Sequence, residues 1–376
     1  MQSPARRLVR LLKDGRGGRE TVTVHRRHVA PKAFQRLVAR PLQGGVSGFA
    51  PRVVSQFAAR RELIPLTLLI ILGGAFYLAN PAFVSALNMS NMFALIPELG
   101  IIALGITLLM IAGEFDLSVG AVFAFVPLTV FIIVNEGILS LEVGFVVGLG
   151  LAALIGLLNG VLVTKMLITS FLVTLGMLLT LRGAALYVSD GFSERTQEAV
   201  DAGSVLHTLL VGRVEIGDWT LHASLFWFLA LIVSMHFLLT QTKFGNWIMA
   251  TGGNRESARA RGIKTDRVKI LLFVTASVLA AFAGLISAAR INTAYPVAGE
   301  GYELEVIAMT VVGGTSLFGG AGTIIGTAIG VILLRSIRNG IIVVGLPGLA
   351  FNMFVGAILL SLMALYAWME RGRRTG

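Results

Sequence analysis

Two carboxylates, Glu114 and Asp116, stand in the stretch AGEFDLSVG (residues 112–120) between apolar runs long enough to lie in a lipid bilayer. An ionised carboxylate at a bilayer centre costs roughly 2.5–3.5 kcal/mol on insertion scales, so each is expected to have a partner or a task. Asp116 precedes an apolar run that starts at about Leu117. There its oxygens can accept from the N–H groups of Ser118 or Val119, capping a helix in the favourable field of its N-terminus. The flanking glycines equally suit an interrupted membrane helix that lines a solute path, where polar backbone is tolerated because water or protein satisfies it. The two roles are compatible for Asp116 and Ser118.

Other reactive chemistry is scarce. The chain has no Cys, which excludes disulfides, thiolate metal sites and Cys nucleophiles. Its five His residues (His25, His28, His207, His222 and His236) lack ligand spacing, so no metal or cofactor is expected, and His236 reads as an interhelical hydrogen-bonding group. A phosphate-binding loop needs Gly-Lys before Ser or Thr, and none of the six Lys follows a Gly. The chain is therefore expected not to hydrolyse ATP and not to be an enzyme.

The elements that must position these groups are membrane helices. Of 376 residues 55% are hydrophobic and only 14% charged, with apolar residues in runs, the signature of an all-α polytopic membrane protein. Runs near the ~20 residues needed to cross hydrocarbon fall at 63–80, 93–112, 117–135, 143–164, 168–187, 223–241, 270–289, 304–318, 322–340 and 348–368, giving about ten spans. Residues 1–61, with 14 Lys and Arg against two acids, read as a basic, disordered cytoplasmic tail held by anionic lipid, with no nucleic-acid partner. Residues 62–370 form the transmembrane domain, and 371–376 a second basic cytoplasmic tail. The connection 188–222 has six acids and two bases and is expected outside; 243–269 has seven bases and two acids and is expected inside. Arg335 and Arg338 conflict with this scheme, because they approach the outer end, where they must snorkel or belong to a re-entrant span.

Within the spans Asn159, Thr174 and Thr180 suit interhelical hydrogen bonds or a pathway wall. Tyr302, Glu303 and Glu305, at the outer end of a span, suit the headgroup region, or contact with a docked partner or an entering hydroxyl-bearing solute. A shift of 200 residues superposes Gly113 on Gly313, Leu117 on Leu317, Gly120 on Gly320 and Ala121 on Ala321. That hint of duplication marks two paired helix breaks, such as face one pathway in repeat-built transporters. In 243–269 a Gly-Gly pair precedes Asn254 as N-cap, a short helix from Arg255 to Arg261, and Gly262 at the C′ position. Small residues (Ser257, Ala258, Ala260) between arginines suit either a plain surface helix or a knob for another protein's groove.

ESARARG (Glu256 to Gly262) resembles the Glu-Ala-Ala-x-x-x-Gly coupling loop of ABC importer permeases, with Ser257 replacing the first Ala. AGEFDLSVG resembles the family's Gly-Ile-Asp-Leu-Ser-Val-Gly run, with Glu114 and Phe115 as departures. GLLNGVLVTK (from Gly156), FLVTLGMLLTLRG (from Phe171) and GYELEVIAMTVVGGTSLFGGAGTIIGT (from Gly301) extend the likeness over residues 63–368. The chain thus resembles monosaccharide (ribose-type) ABC importer permeases of the branched-chain amino acid and sugar permease superfamily. That resemblance implies a type II-like permease with a short coupling helix in a bacterial inner membrane, both termini cytoplasmic. It also implies three kinds of partner: a second copy of the chain, an ABC ATPase subunit and an extracytoplasmic sugar-binding protein. The candidate pathway residues are Asp116, Ser118, Asn159, Phe171, Thr174, Tyr302, Glu303, Thr315 and Ser316; the candidate ATPase-coupling residues are Asn254, Glu256, Ser257, Ala258 and Gly262. The alternatives are a nucleoside or branched-chain amino acid ABC permease, and an ion-coupled secondary transporter.

Overall fold

The computed structural model describes residues 62–195 and 204–374. The basic segment 1–61 and residues 375–376 of the second tail lie outside the described residues. Helices α1 (Leu63–Ala79), α2 (Ala86–Ile111), α3 (Val119–Asn135), α4 (Leu141–Lys165) and α5 (Ser170–Val188) follow one another with short connections. Then come β1 (Glu194–Arg195), α6 (Val205–Val211), a hairpin of β2 (Arg213–Ile216) and β3 (Trp219–His222), and α7 (Ala223–Gln241). The second half contains α8 (Lys243–Gly253), α9 (Arg255–Ala260), α10 (Thr265–Ile291), β4 (Thr293–Ala294), α11 (Tyr302–Val312), α12 (Ile324–Val343) and α13 (Phe351–Arg374). Ser85, Ser140, Thr242, Asn254 and Thr323 each cap the helix that follows by accepting a backbone N–H.

Six of the described helices, α2, α4, α5, α7, α10 and α12, are long and apolar enough to cross a membrane, and α1, α3 and the first part of α13 are shorter apolar helices. The eighth run, 304–318, does not form a span. At 11 residues α11 covers only about 16 Å, half of the hydrocarbon, because Gly313 and Gly314 end it and residues 313–323 form a loop. Residues 243–269 form α8, the short helix α9 expected there and the first turn of α10; the connection 188–222 carries α6 and the hairpin; and α13 continues through Arg374, so most of the second tail is helical.

Helix α2 lies at the centre, with every residue from Leu99 through Leu104 buried. Helix α10 packs beside it and touches α3 and α4 through glycines. On α4, a Cβ at Gly156 would lie 2.5 Å from the Phe273 carbonyl oxygen, and one at Gly160 2.8 Å from Ile270 Cα. On α10, a Cβ at Gly284 would strike the Phe123 carbonyl oxygen of α3. With lipid on both sides there is little hydrophobic drive between helices, so close approach of small residues supplies the packing.

Contacts sort the connections onto two ends. At the first, Lys165 meets Asp266 at 3.4 Å, Lys269 meets Glu114 at 2.5 Å, and Gly320 N–H donates to the Ile111 carbonyl at 2.8 Å. At the second, Asn80 Nδ2 donates to the Val343 carbonyl at 2.8 Å, Asn135 Nδ2 to the Arg195 carbonyl at 2.8 Å, and Thr220 N–H to Ser90 Oγ at 3.0 Å, while β1 pairs with β4.

Gly156→Leu is expected to destabilise the bundle by about 1–3 kcal/mol through overpacking, read as a lower melting temperature of the detergent-solubilised protein. Gly150→Ala, on the same helix with open space around its Cβ, is expected to melt within error of the parent.

Candidate functional site

The loop 112–118 places four of the candidate residues in one buried cluster. Asp116 Oδ1 accepts from Ser118 N–H at 2.7 Å and from Ser118 Oγ–H at 2.5 Å. Asn159 of α4 donates through Nδ2 to Ser118 Oγ at 3.0 Å and to Asp116 Oδ2 at 3.4 Å. Thr174 of α5 accepts from Leu117 N–H at 3.0 Å and donates to the Ser170 carbonyl at 2.8 Å. The sequence suggested a cap on a helix starting near Leu117; the helix starts at Val119, so Asp116 closes a turn around Ser118 instead. Asp116, Ser118, Asn159 and Thr174 are all 0% exposed, and Asn159 Oδ1 has no protein partner. The second carboxylate has a different partner, because Glu114 binds Lys269 of α10.

The two glycine breaks related by the 200-residue shift touch each other. A Cβ at Gly319 would lie 2.9 Å from Gly113 Cα, and one at Gly320 2.8 Å from Gly253 Cα. Gly113, Gly319 and Gly320 have φ of +84°, +83° and +74°, a left-handed region that L side chains avoid. Thr315 is buried beside this contact and Ser316 closes the loop, its N–H donating to the Ala321 carbonyl at 2.9 Å. Gly252 and Gly253 form the last turn of α8, and their lack of side chains lets that turn rest on both breaks.

Tyr302 and Glu303 stand apart from these residues. The segment from Tyr295 to Gly301 turns back beside α3, Tyr302 packs against Phe123 with tilted rings 5.2 Å apart, and Glu303 lies against Gly120, where a Cβ would strike its Oε2. Arg182 of α5 fixes the segment, donating to the carbonyls of Ala298 at 2.7 Å and Pro296 at 3.2 Å. Sequence reading overlooked Arg182; its one signal was a cation within the apolar run from Phe171 to Gly183. Phe171 is exposed and meets Phe115 edge-on at 6.5 Å. Glu305 pairs with Arg338 at 3.6 Å, Thr180 bonds within its own helix, and His236 Nδ1 is buried with no partner, contrary to the interhelical bond expected of it.

The short helix α9 has the caps that its sequence announced. Asn254 Oδ1 accepts from Ser257 N–H at 2.8 Å. Gly262, at φ +84°, donates to the Arg259 carbonyl at 2.9 Å and Ile263 N–H to that of Ala258 at 3.1 Å, the paired bonds of a Schellman ending. Ala258 is buried beneath the helix, whereas Glu256, Ser257 and Ala260 are exposed. Asp266, which sequence reading had not singled out, pins α9 in place. It binds Arg255 at 2.9 Å, Arg259 and, at 3.4 Å, Lys165 of α4. Asn254, Ala258 and Gly262 therefore build the helix, and Glu256 and Ser257 form its outward face.

Asp116→Asn is expected to leave protein level near that of the parent, because a turned Asn159 amide can accept through its unpartnered Oδ1 from the new Nδ2. Asp116→Leu, which abandons the buried donors of Ser118 and Asn159, should cost about 1–3 kcal/mol, measured as lost thermal stability in detergent. Equal stability of the two variants would contradict the cluster.

Comparison with known proteins adds the family. Residues 88–363 match the family model described as branched-chain amino acid transport system / permease component. The chain is 33% identical over 312 residues to the xylose/arabinose import permease protein XylH of Sulfolobus acidocaldarius, covering 80% of this chain and 83% of that protein. It is 33% identical over 307 residues to the ribose import permease protein RbsC of Escherichia coli K12, covering 81% and 92%. To the autoinducer 2 import system permease protein LsrC of Photorhabdus laumondii it is 31% identical over 303 residues, covering 81% and 88%. No solved structure matches. A multi-pass helical bundle with these relatives is a non-catalytic transport subunit, and the chain belongs to the family of branched-chain amino acid transport system permease components.

Proposed function

We propose that this chain is the membrane-spanning subunit of a bacterial ABC importer for a simple sugar, paired with a second copy of itself, driven by a separate ATPase and supplied by an extracytoplasmic binding protein. The observation that carries the reading is the placement of α9: a capped helix with an exposed Glu256–Ser257 face, whose supporting turn at Gly252 and Gly253 rests directly on the breaks at Gly113 and Gly319. A push on α9 reaches both breaks through backbone contacts alone. The sugar assignment rests on relatives whose names specify ribose, xylose and arabinose import.

In this reading the end carrying α8 and α9 faces the cytoplasm, since its connection is the basic one. ATP binding closes the partner dimer and moves α9, and the loops 112–118 and 313–323 shift together. Asp116, Ser118, Asn159 and Thr174 keep α3 in register with α4 and α5 and enter the pathway wall only as those helices part. Thr315 and Ser316 border the inner side of the pathway; Tyr302 and Glu303, on the turn held by Arg182, border it from the other side, and Phe171 contributes an exposed ring. The sugar is bound weakly along this route, with selection left to the binding protein.

Ser257→Arg is expected to weaken capture of the cognate ATPase about tenfold, equivalent to about 1.4 kcal/mol, and to abolish uptake of the sugar at unchanged permease level; normal capture and uptake would refute the docking role. Orientation is tested separately in this Cys-free chain. Asp218→Cys on the hairpin should react with an impermeant maleimide on intact cells and Ala260→Cys should not, and the reverse pattern would invert the topology.

A further inference from the structure

Near the second end, with Tyr302 on its wall, a cavity of about 250 Å³ opens between α2, α11 and α12. Its charged groups do not balance locally. Glu98 is bound by Arg290 and Glu305 faces Arg338, which also lies 5.0 Å over the Phe351 ring. Arg335 lines the cavity and is 7% exposed, yet among the described residues no carboxylate lies within ion-pair distance of it. Its Nε and Nη2, which form one edge of the guanidinium, are both buried without a hydrogen-bond partner among the described residues. One helical turn further along α12, Asn339 also lines the cavity, and its Nδ2 is unpartnered too.

A buried cation left without a counter-charge is among the most costly arrangements in a protein, and orphaned donors add to it. The unused edge of Arg335 offers two parallel N–H groups, the fork that matches two oxygens of a carboxylate or phosphate. We propose that Arg335 and Asn339 form an oxyanion-binding site in this cavity, Arg335 holding two oxygens side-on and Asn339 a third contact. The cavity's rim includes exposed Leu95 and Ile342, and Arg335 lies eight residues, about 12 Å, before the end of α12. A phospholipid headgroup with its chains against that apolar rim and a soluble phosphate offer the same oxygens to the same fork.

The test uses the full chain in nanodiscs at fixed ionic strength, with thermal unfolding as the readout. Wild-type protein is expected to gain melting temperature either when phosphatidylglycerol is added to phosphatidylcholine discs or when inorganic phosphate is titrated into pure phosphatidylcholine discs. A gain with phosphatidylglycerol alone assigns a lipid source, and a gain with phosphate alone assigns a soluble one. Arg335→Gln should abolish the gain; Arg335→Lys, which keeps the charge but not the fork, and Asn339→Leu should each reduce it by half or more. Should Arg335→Gln fail to fold, the last two variants decide. Absence of any gain in the wild type, or gains in the variants equal to the wild type's, overturns the proposal.

Discussion

A helix that stops inside a membrane leaves backbone donors and acceptors that lipid cannot satisfy, and each such group costs several kcal/mol unless protein pairs it. Here α2 ends at Ile111 and the short α11 at Val312. The two ends are brought together, so that Gly320 N–H reaches the Ile111 carbonyl and glycines stand at the closest approaches of the surrounding turns. The position of α8, the short length of α11 and the entry of α3 all follow from that junction. Side chains at Gly252 or Gly319 would hold the backbones apart and leave the carbonyl of Ile111 unpaired, and one at Gly113 would strain its left-handed backbone.

Charge is handled by the same logic of pairing at a distance. Glu114 with Lys269, Glu98 with Arg290, and Asp266 with three cations place these buried or half-buried ions beside opposite ones. Asp116, like Arg335, has no such pair; it is surrounded by neutral donors, and this distinguishes it from the structural pairs around it. A buried carboxylate held by one hydroxyl, one amide and one N–H is easily disturbed when its helices move. That makes it a suitable marker of the conformational cycle.

What the sequence revealed was local. The cap at Asn254, the ending at Gly262 and most spans depend on residues within a turn of one another, and their chemistry could be read directly. The glycine pairs near 113 and 313 were visible as a pattern, although that they touch was not. The partners of Glu114 and Arg182 could not be read, because they lie 155 and at least 114 residues away and nothing in an apolar run specifies which distant helix it will face. The extent of α11 was hidden for a related reason. Hydropathy stays high from 304 to 318 while the helix ends at Val312, since apolar character records burial and not backbone path.

Helix α10 carries the Asp266 pin in its first turn and Arg290 in its last, which binds Glu98 of α2. Its 27 residues make a rod of about 40 Å. Such a rod converts angle into displacement: each degree of tilt about one end carries the other through about 0.7 Å, given a rise of about 1.5 Å per residue. Any tilt about one end would therefore appear as lateral travel at the other, across the close Gly105, Gly156 and Gly160 contacts along its length.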